Sequence, residues 1–336
     1  MTTLYLTEPG TIVRYHNESL VVIKKQQTQK SRLAELSLVV ILPGVQLTDV
    51  VTAQLLDRGI ETIFLRQDGQ FRGRLQGHFA TNPMIRIAQY RILESTFSMA
   101  LAQKLVMGKV RNQRVLLQRC NRATQRQFAE LTEAIDLIAT YSSVLTQTST
   151  PLDRSELMGI EGICARTYYQ ALQHWFHPKW NFSGRNRRPP LDPINALMSW
   201  GYGVLLARVF SACLQAGLDP YLGFFHATEP YRPNLVLDVM EEFRPVVVDQ
   251  TVIAIAQSEA LTLEDFQASP DGTGVWLGDM AKRLLLLELE KQFRNTVLYP
   301  PQNRRLSLSQ IILEQARSLG RCLLEFSLNY EPFTIK

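Results

Sequence analysis

The chain opens on short apolar-rich runs set between polar turn-forming residues, the pattern of strands. "TLYLTE", "TIVRYHN", "SLVVIKK", "AELSLVVILPG", "ETIFLRQ" and "GQFRGRLQG" are rich in Val, Ile, Leu, Tyr and Phe. Pro9-Gly10, Asn17, Pro43-Gly44 and Gly69 separate them as turn formers. "TDVVTAQLLDR", from Thr48 to Arg58, has helical spacing behind a threonine suited to capping. Residues 1–80 therefore read as a small strand-rich unit with one inserted helix.

From Asn82-Pro83 the period changes to that of a helix, with Ile85, Ala88, Ile92, Phe97 and Leu101 recurring near every 3.6 residues. Helical stretches continue to the C-terminus, with loops expected at 178–193, 217–234, 268–274 and 299–306. The predicted fold class is α+β: a small N-terminal β-rich domain (1–80), then a larger all-helical C-terminal domain (81–336). No repeat or low-complexity tract interrupts this division.

Composition narrows the function only slightly. The 336 residues are 46% hydrophobic and 20% charged, as in a globular protein with room for two domains. Net charge is +5, which permits a polyanionic partner without requiring one. Cys120, Cys164, Cys213 and Cys322 are scattered and form no CxxC pair, so neither a zinc knuckle nor a disulfide framework is indicated. The N-terminus is polar too early for a signal peptide, and no apolar run is expected to reach the length of a membrane span. The chain reads as soluble and cytoplasmic.

Two basic regions stand out. Ser95 to Ala129 contains no Asp or Glu but holds Lys104, Lys109, Arg111, Arg114, Arg119, Arg122 and Arg126. Such a stretch is either a phosphate-tracking surface or an idle basic face. In "FSGRNRRPPLDP", Arg185, Arg187 and Arg188 sit on a loop stiffened by Pro189, Pro190 and Pro193. Guanidinium groups held this way grip phosphates at little entropic cost; alone, they would merely solubilise a loop.

The acids are more informative. A helix expected to start at Thr150-Pro151 gathers Leu157, Ile160, Cys164, Tyr168, Leu172 and Trp175 on one face, with Glu161 in the middle. A carboxylate there must be protonated, paired or bound to a cation. Gly159 and Gly162 flank it at a cost in helix stability, which suggests a close approach by another segment or a ligand. Further on, "GFFHATEPYRPNLVLDVMEEFRP" carries His226 ahead of a helix with Leu235, Val236, Val239, Met240 and Phe243 on its apolar face. Asp238, Glu241 and Glu242 fall on the other, expected wet, side. Taken alone, this is an ordinary amphipathic helix behind a core histidine. Together with Glu161, the carboxylates and the imidazole make a donor set suited to Mg²⁺ or Mn²⁺. With the basic regions, the set points to chemistry on nucleic-acid phosphodiesters.

"MGIEGICARTYYQAL", "GRNRRPPLDPINALMSWGYGVLLARV", "GLDPYLGFFHATEPYRPNLVLDVMEEFRPVVVD" and "QARSLGRCLLEF", in that order, resemble the CRISPR-associated integrase/endonuclease family of spacer acquisition, which serves antiviral defence. The likeness covers nearly the whole chain. It implies metal ligation by Glu161, His226 and Glu241, with Asp238 as a neighbouring acid sharing the catalytic site. It places Arg185, Arg187, Arg188, Asn195 and Tyr202 on the DNA backbone, and the basic stretch adds Lys109 and Arg111. It further implies dimerisation through the N-terminal domain, a small ferredoxin-like partner subunit, and double-stranded DNA (prespacer and CRISPR repeat) as substrate. The reaction expected is transesterification by a 3′-hydroxyl. Two other readings stay open: a structure-selective nuclease without integration, and a non-catalytic DNA-binding scaffold.

Overall fold

The computed structural model describes residues 2–24, 27–77, 82–125, 127–148, 150–226 and 232–335. The changeover at 78–81, Arg126 and part of the 217–234 loop lie outside them. Each strand-like run forms a strand: β1 (Thr2–Leu6), β2 (Ile12–His16), β3 (Ser19–Lys24), β5 (Leu36–Ile41), β7 (Glu61–Leu65) and β8 (Phe71–Leu75). Two more appear, β4 (Gln27–Arg32) and β6 (Gln46–Leu47). Their signal was weak because β4, "QTQKSR", is an almost wholly exposed edge strand with no apolar face. Helix α1 (Asp49–Asp57) follows Thr48 as expected, although the Thr48 side chain makes no capping hydrogen bond.

The strands form two sheets, ordered β1-β5-β7-β8 and β4-β3-β2-β6. Strand β5 runs parallel to both β1 and β7 and is covered on both faces. Its period-2 alternation divides two cores: Val39 and Ile41 face a core confined to the N-terminal part, while Leu38 and Val40 join the main core of the helices. The strand-rich part is thus packed directly onto the helical part. A buried Arg208–Glu290 ion pair, joined by the Tyr5 hydroxyl at 2.8 Å from Glu290, pins β1 at that junction.

The helical part contains α2 (Pro83–Ile92), α3 (Thr96–Ala123), α4 (Ala129–Gln147), α5 (Arg154–Leu172), α6 (Pro193–Gln215), α7 (Asn234–Phe243), α8 (Gln250–Gln257), α9 (Asp279–Arg294) and α10 (Leu308–Glu325). It is not all-helical. Two of the expected loops belong to small hairpins, β9 (Phe266–Ala268) with β10 (Val275–Leu277), and β11 (Thr296–Tyr299) with β12 (Arg304–Ser307). Three- and four-residue strands are too short to announce themselves by alternation. A second correction concerns α6, which has the length and apolar content of a membrane span, contrary to expectation. Its most apolar window is 89% buried inside the protein, so it is the central core helix. Asp192 caps it, accepting from the Asn195 N–H at 2.8 Å, with Pro193 in the first turn.

Candidate active site

Glu161 sits on α5, which starts later than expected. Asp153, not Thr150, is the cap: it accepts from the Glu156 N–H at 2.8 Å, and the Glu156 carboxylate accepts from the Asp153 N–H at 3.0 Å. This reciprocal pair outcompetes a threonine that has no glutamate three residues on. Leu157, Cys164, Tyr168 and Leu172 are buried as the helical stripe requires, and Glu161 is partly buried among them. Among the described residues nothing approaches Gly159 or Gly162, and a Cβ at either would meet open space.

Helix α7 departs most from expectation. Its three acids are not on a wet face: Asp238 and Glu242 have no exposure and Glu241 has 4%. The helix is enclosed because α3 and α6 pack on it and the C-terminal segment covers it as well. Each carboxylate is therefore fully engaged, as buried charge requires. Asp238 accepts from the N–H groups of Phe224, Phe225 and His226 at 2.6, 2.9 and 3.0 Å. Glu242 accepts from the Tyr330 hydroxyl, Gln315 Nε2 and the Phe333 N–H. Burial pushes its carboxyl up to about 7 despite these donors.

Glu241 alone faces a cavity. Its Oε1 accepts from Arg244 Nε at 3.0 Å. Its Oε2 lies 2.5 Å from Lys109 Nζ in an ion pair. The same ammonium donates to Glu161 Oε1. Burial pushes the Glu241 carboxyl up, but the charges of Arg244 and Lys109 outweigh it and hold the group below the ordinary range. Burial would likewise lower the Lys109 ammonium, yet Glu241 and Glu161 hold it above the usual lysine value.

His226 enters the same cavity. Its Nδ1 lies 2.6 Å from Asp238 Oδ1, and a carboxylate that already takes three N–H groups can only accept there. Nδ1 therefore carries the proton, and Nε2 is left as the basic nitrogen. Gly223 makes this loop possible: a Cβ there would stand 2.9 Å from Asp238 Oδ2 and 2.8 Å from the Asn234 carbonyl carbon.

The cavity holds about 870 Å³. The β7–β8 turn (67–71), the 185–190 loop and the β9–β10 hairpin bound it. Of the expected DNA-contacting residues, Arg187 and Arg188 are exposed on its rim. Arg185 also lines it but is tied down, donating to Asn195 Oδ1 at 2.7 Å and Ser199 Oγ at 3.0 Å. Asn195 is fully buried, and its amide also donates to Gly184 O and Asp192 Oδ2, so it fastens the loop from behind rather than meeting a backbone phosphate. Tyr202 is nearly buried; its hydroxyl donates to Asp249, and the Arg185 and Arg244 guanidiniums lie over its ring. Lys109 is taken out of any basic face by its two carboxylates. Arg111 lies outside the cavity and reaches Thr146 Oγ1 at 3.2 Å.

The acid-free stretch is thus largely a core helix, α3, and four of its bases, Lys104, Lys109, Arg111 and Arg119, turn to neighbouring elements. Lys104 reaches Glu331 at 3.8 Å and Arg119 reaches Gln250 at 3.4 Å. Sequence reasoning missed Arg244, Tyr169 and Asp249. Arg244 had a signal, standing three residues after Glu241. Asp249 had none: a π-helical turn at Arg244–Asp249 re-aims it, so that Tyr168 and Tyr202 donate to it. Burial pushes its carboxyl up to about 6. The four cysteines are buried and unpaired.

A divalent ion fits the donor chemistry. Two carboxylates from separate helices already converge on one cation, and an imidazole presents Nε2 to the same cavity. Among the described residues no three acid, His or Cys groups close around one point, since the Lys109 ammonium stands between the carboxylates.

A family model described as CRISPR associated protein Cas1 matches residues 4–291. The "CRISPR-associated endonuclease Cas1 1" of Moorella thermoacetica is 31% identical, over 99% of this chain and 98% of its own. A chain of a solved "Cas6-RT-Cas1–Cas2 complex" superposes with TM-score 0.83 at 25% identity, covering 100% of this chain, which spans 36% of that one. A "casposase bound to integration product" shares the fold, with TM-score 0.84 at 21% identity over 100% of this chain and 95% of its own. The ordered motifs, the strand-then-helix architecture and these matches agree: the chain belongs to the Cas1 family of CRISPR-associated proteins.

Proposed function

We propose that this chain is a divalent-metal-dependent DNA endonuclease and integrase of CRISPR adaptation, with Glu161, His226 and Glu241 as the ligands of Mg²⁺ or Mn²⁺. The observation that carries the reading is the convergence of Glu161 and Glu241 on one cation, in a cavity that His226 enters and Arg187 and Arg188 rim. The endonuclease name of the Moorella relative supports cleavage, and the casposase's fold supports an architecture able to house strand transfer.

An ion held at these ligands supplies Lewis-acid activation of an attacking hydroxyl and charge neutralisation at the phosphoryl group. The chain's own residues position the parts. Asp238 fixes the His226 tautomer and ring, Arg244 steadies the far oxygen of Glu241, and Arg187 and Arg188 hold the DNA backbone. In strand transfer a 3′-hydroxyl attacks phosphorus, one phosphodiester forms as another breaks, and the departing 3′ oxygen takes a proton. Bond number is conserved, so no energy source is needed. Water in place of the hydroxyl gives a nick. On this reading the chain works as a homodimer with a small partner subunit on double-stranded DNA; that the structural neighbour is a Cas1–Cas2 complex supports a protein partner.

A supercoiled plasmid bearing a CRISPR array, mixed with the partner subunit and short duplexes with free 3′ ends, decides the matter. Joined products that vanish in Glu161→Gln are expected. Nicks alone would leave an endonuclease without integration, and full activity in Glu161→Gln would remove the metal reading.

A further inference from the structure

Lys109 stands on α3, between the two helices that carry the carboxylates. Helix α3 packs closely on both α5 and α7. The approach to α7 depends on Gly108, where a Cβ would lie 2.8 Å from Glu242 Cγ and 2.9 Å from Pro332 Cβ. That closeness lets the lysine stem reach the Glu241 side chain while its ammonium also meets Glu161. Only 8% of the Lys109 side chain is exposed, yet it forms part of the cavity wall.

Charge explains why a cation belongs at that point. Two carboxylates brought together away from water repel strongly, and each bears a desolvation cost. Arg244 serves one oxygen of Glu241 and no oxygen of Glu161. The Lys109 ammonium is the one cation that meets both carboxylates, with Arg244 supplying the second positive charge, and it stands where a divalent ion held by the same two side chains would compete with it. Both cations cannot sit there at once. The open cavity beside Lys109 gives a flexible four-carbon stem room to swing aside.

We propose that Lys109 is a built-in counter-cation of the candidate metal site, holding Glu161 and Glu241 together in the metal-free protein and yielding its place when a divalent ion enters. Affinity for the ion is then set by competition with the protein's own ammonium. With Arg244 on the second oxygen of Glu241, the two carboxylates are balanced in the metal-free protein instead of repelling. This rests on Glu161 and Glu241 being ion ligands.

Two measurements on the full chain test it, neither of them activity. In the first, Mn²⁺ binding is followed by electron paramagnetic resonance while Lys109 is probed with an amine-acylating reagent and read by mass spectrometry. Lys109 of the unaltered chain is protected without metal and becomes labelled as Mn²⁺ saturates. Protection that persists with Mn²⁺ bound overturns the exchange while leaving the metal reading intact. In the second, Lys109→Met melts several degrees below the unaltered chain without metal but binds Mn²⁺ at least about tenfold more tightly. Unchanged or weaker Mn²⁺ affinity overturns the proposal. Should Lys109→Met not fold, Lys109→Met/Glu161→Gln restores folding by removing the repulsion, and the labelling arm stands on the unaltered chain. Absence of Mn²⁺ binding in the unaltered chain and in Lys109→Met alike brings down the ligand assignment itself, and the exchange with it.

Discussion

His226 and Asp238 are joined twice: the His226 ring Nδ1 and its backbone N–H both meet Asp238 Oδ1, at 2.6 and 3.0 Å. With Phe224 and Phe225 on Oδ2, the carboxylate has no capacity left for a metal. Asp238 is therefore a positioning residue, and Glu241 is the α7 carboxylate that the cavity can use.

Asp238→Asn keeps the shape but turns one acceptor into a donor facing N–H groups. It should cost about 2–4 kcal/mol of stability. Mn²⁺ affinity should fall about 10–100-fold although no proposed ligand has changed. Urea unfolding and a metal titration check the two effects separately, and undiminished affinity would show that the His226 orientation does not depend on this bond.

Glu242 predicts a pH dependence. Its folded carboxyl titrates at about 7 against 4.5 in the unfolded chain. Below 4.5 it is protonated in both states and contributes no difference. Between 4.5 and 7 the folded state holds the extra proton, so stability falls as pH rises, and above 7 the full penalty is present. Asp249, pushed up to about 6, adds a term of the same sign. Glu242→Gln should flatten the 4.5–7 slope and stabilise the protein above pH 7 by on the order of 2 kcal/mol. Denaturant midpoints measured across that range give the answer.

The 185–195 region should separate binding from folding. Arg187→Ala/Arg188→Ala removes two exposed guanidiniums, so duplex affinity should drop and the salt slope shrink by about 2, with the melting temperature unchanged. Asn195→Ala strips a fully buried amide from four hydrogen bonds and should cost about 2–3 kcal/mol. Salt-dependent DNA binding set beside thermal melts distinguishes them.

At the junction of sheets and helices, Glu290→Ala leaves the Arg208 guanidinium buried without its carboxylate. A loss of about 3–5 kcal/mol is expected. Tyr5→Phe removes one hydrogen bond to the same carboxylate and should cost about 1 kcal/mol. Equal effects in urea unfolding would show that the junction does not rest on the ion pair.

Local pattern made much of this protein legible. Short runs rich in Val, Ile, Leu and Phe between turn formers mark β5 and β7, and 3.6 periodicity marks α2 and α3, because side-chain direction follows backbone geometry within a few residues. Glu161 stands out by itself as an acid on an apolar stripe, whereas His226 and Glu241 look ordinary alone and are singled out by the family resemblance. Strand β4 and the small hairpins escaped because they are too polar or too short to show a period.

The chain's periodicity decides which elements form and which residues could do chemistry; packing decides what each of those residues does. Helix α7 has the spacing of a surface helix, yet α3, α6 and the C-terminal segment enclose it, and that enclosure sorts three similar acids into three roles. Asp238 holds the histidine, Glu241 faces the cavity, and Glu242 secures the C-terminal segment. Lys109 has the look of a DNA-binding base and is instead the partner of two carboxylates. The reason is the same in each case: burial makes an unpaired charge too costly to keep, and the partners that satisfy it come from distant parts of the chain.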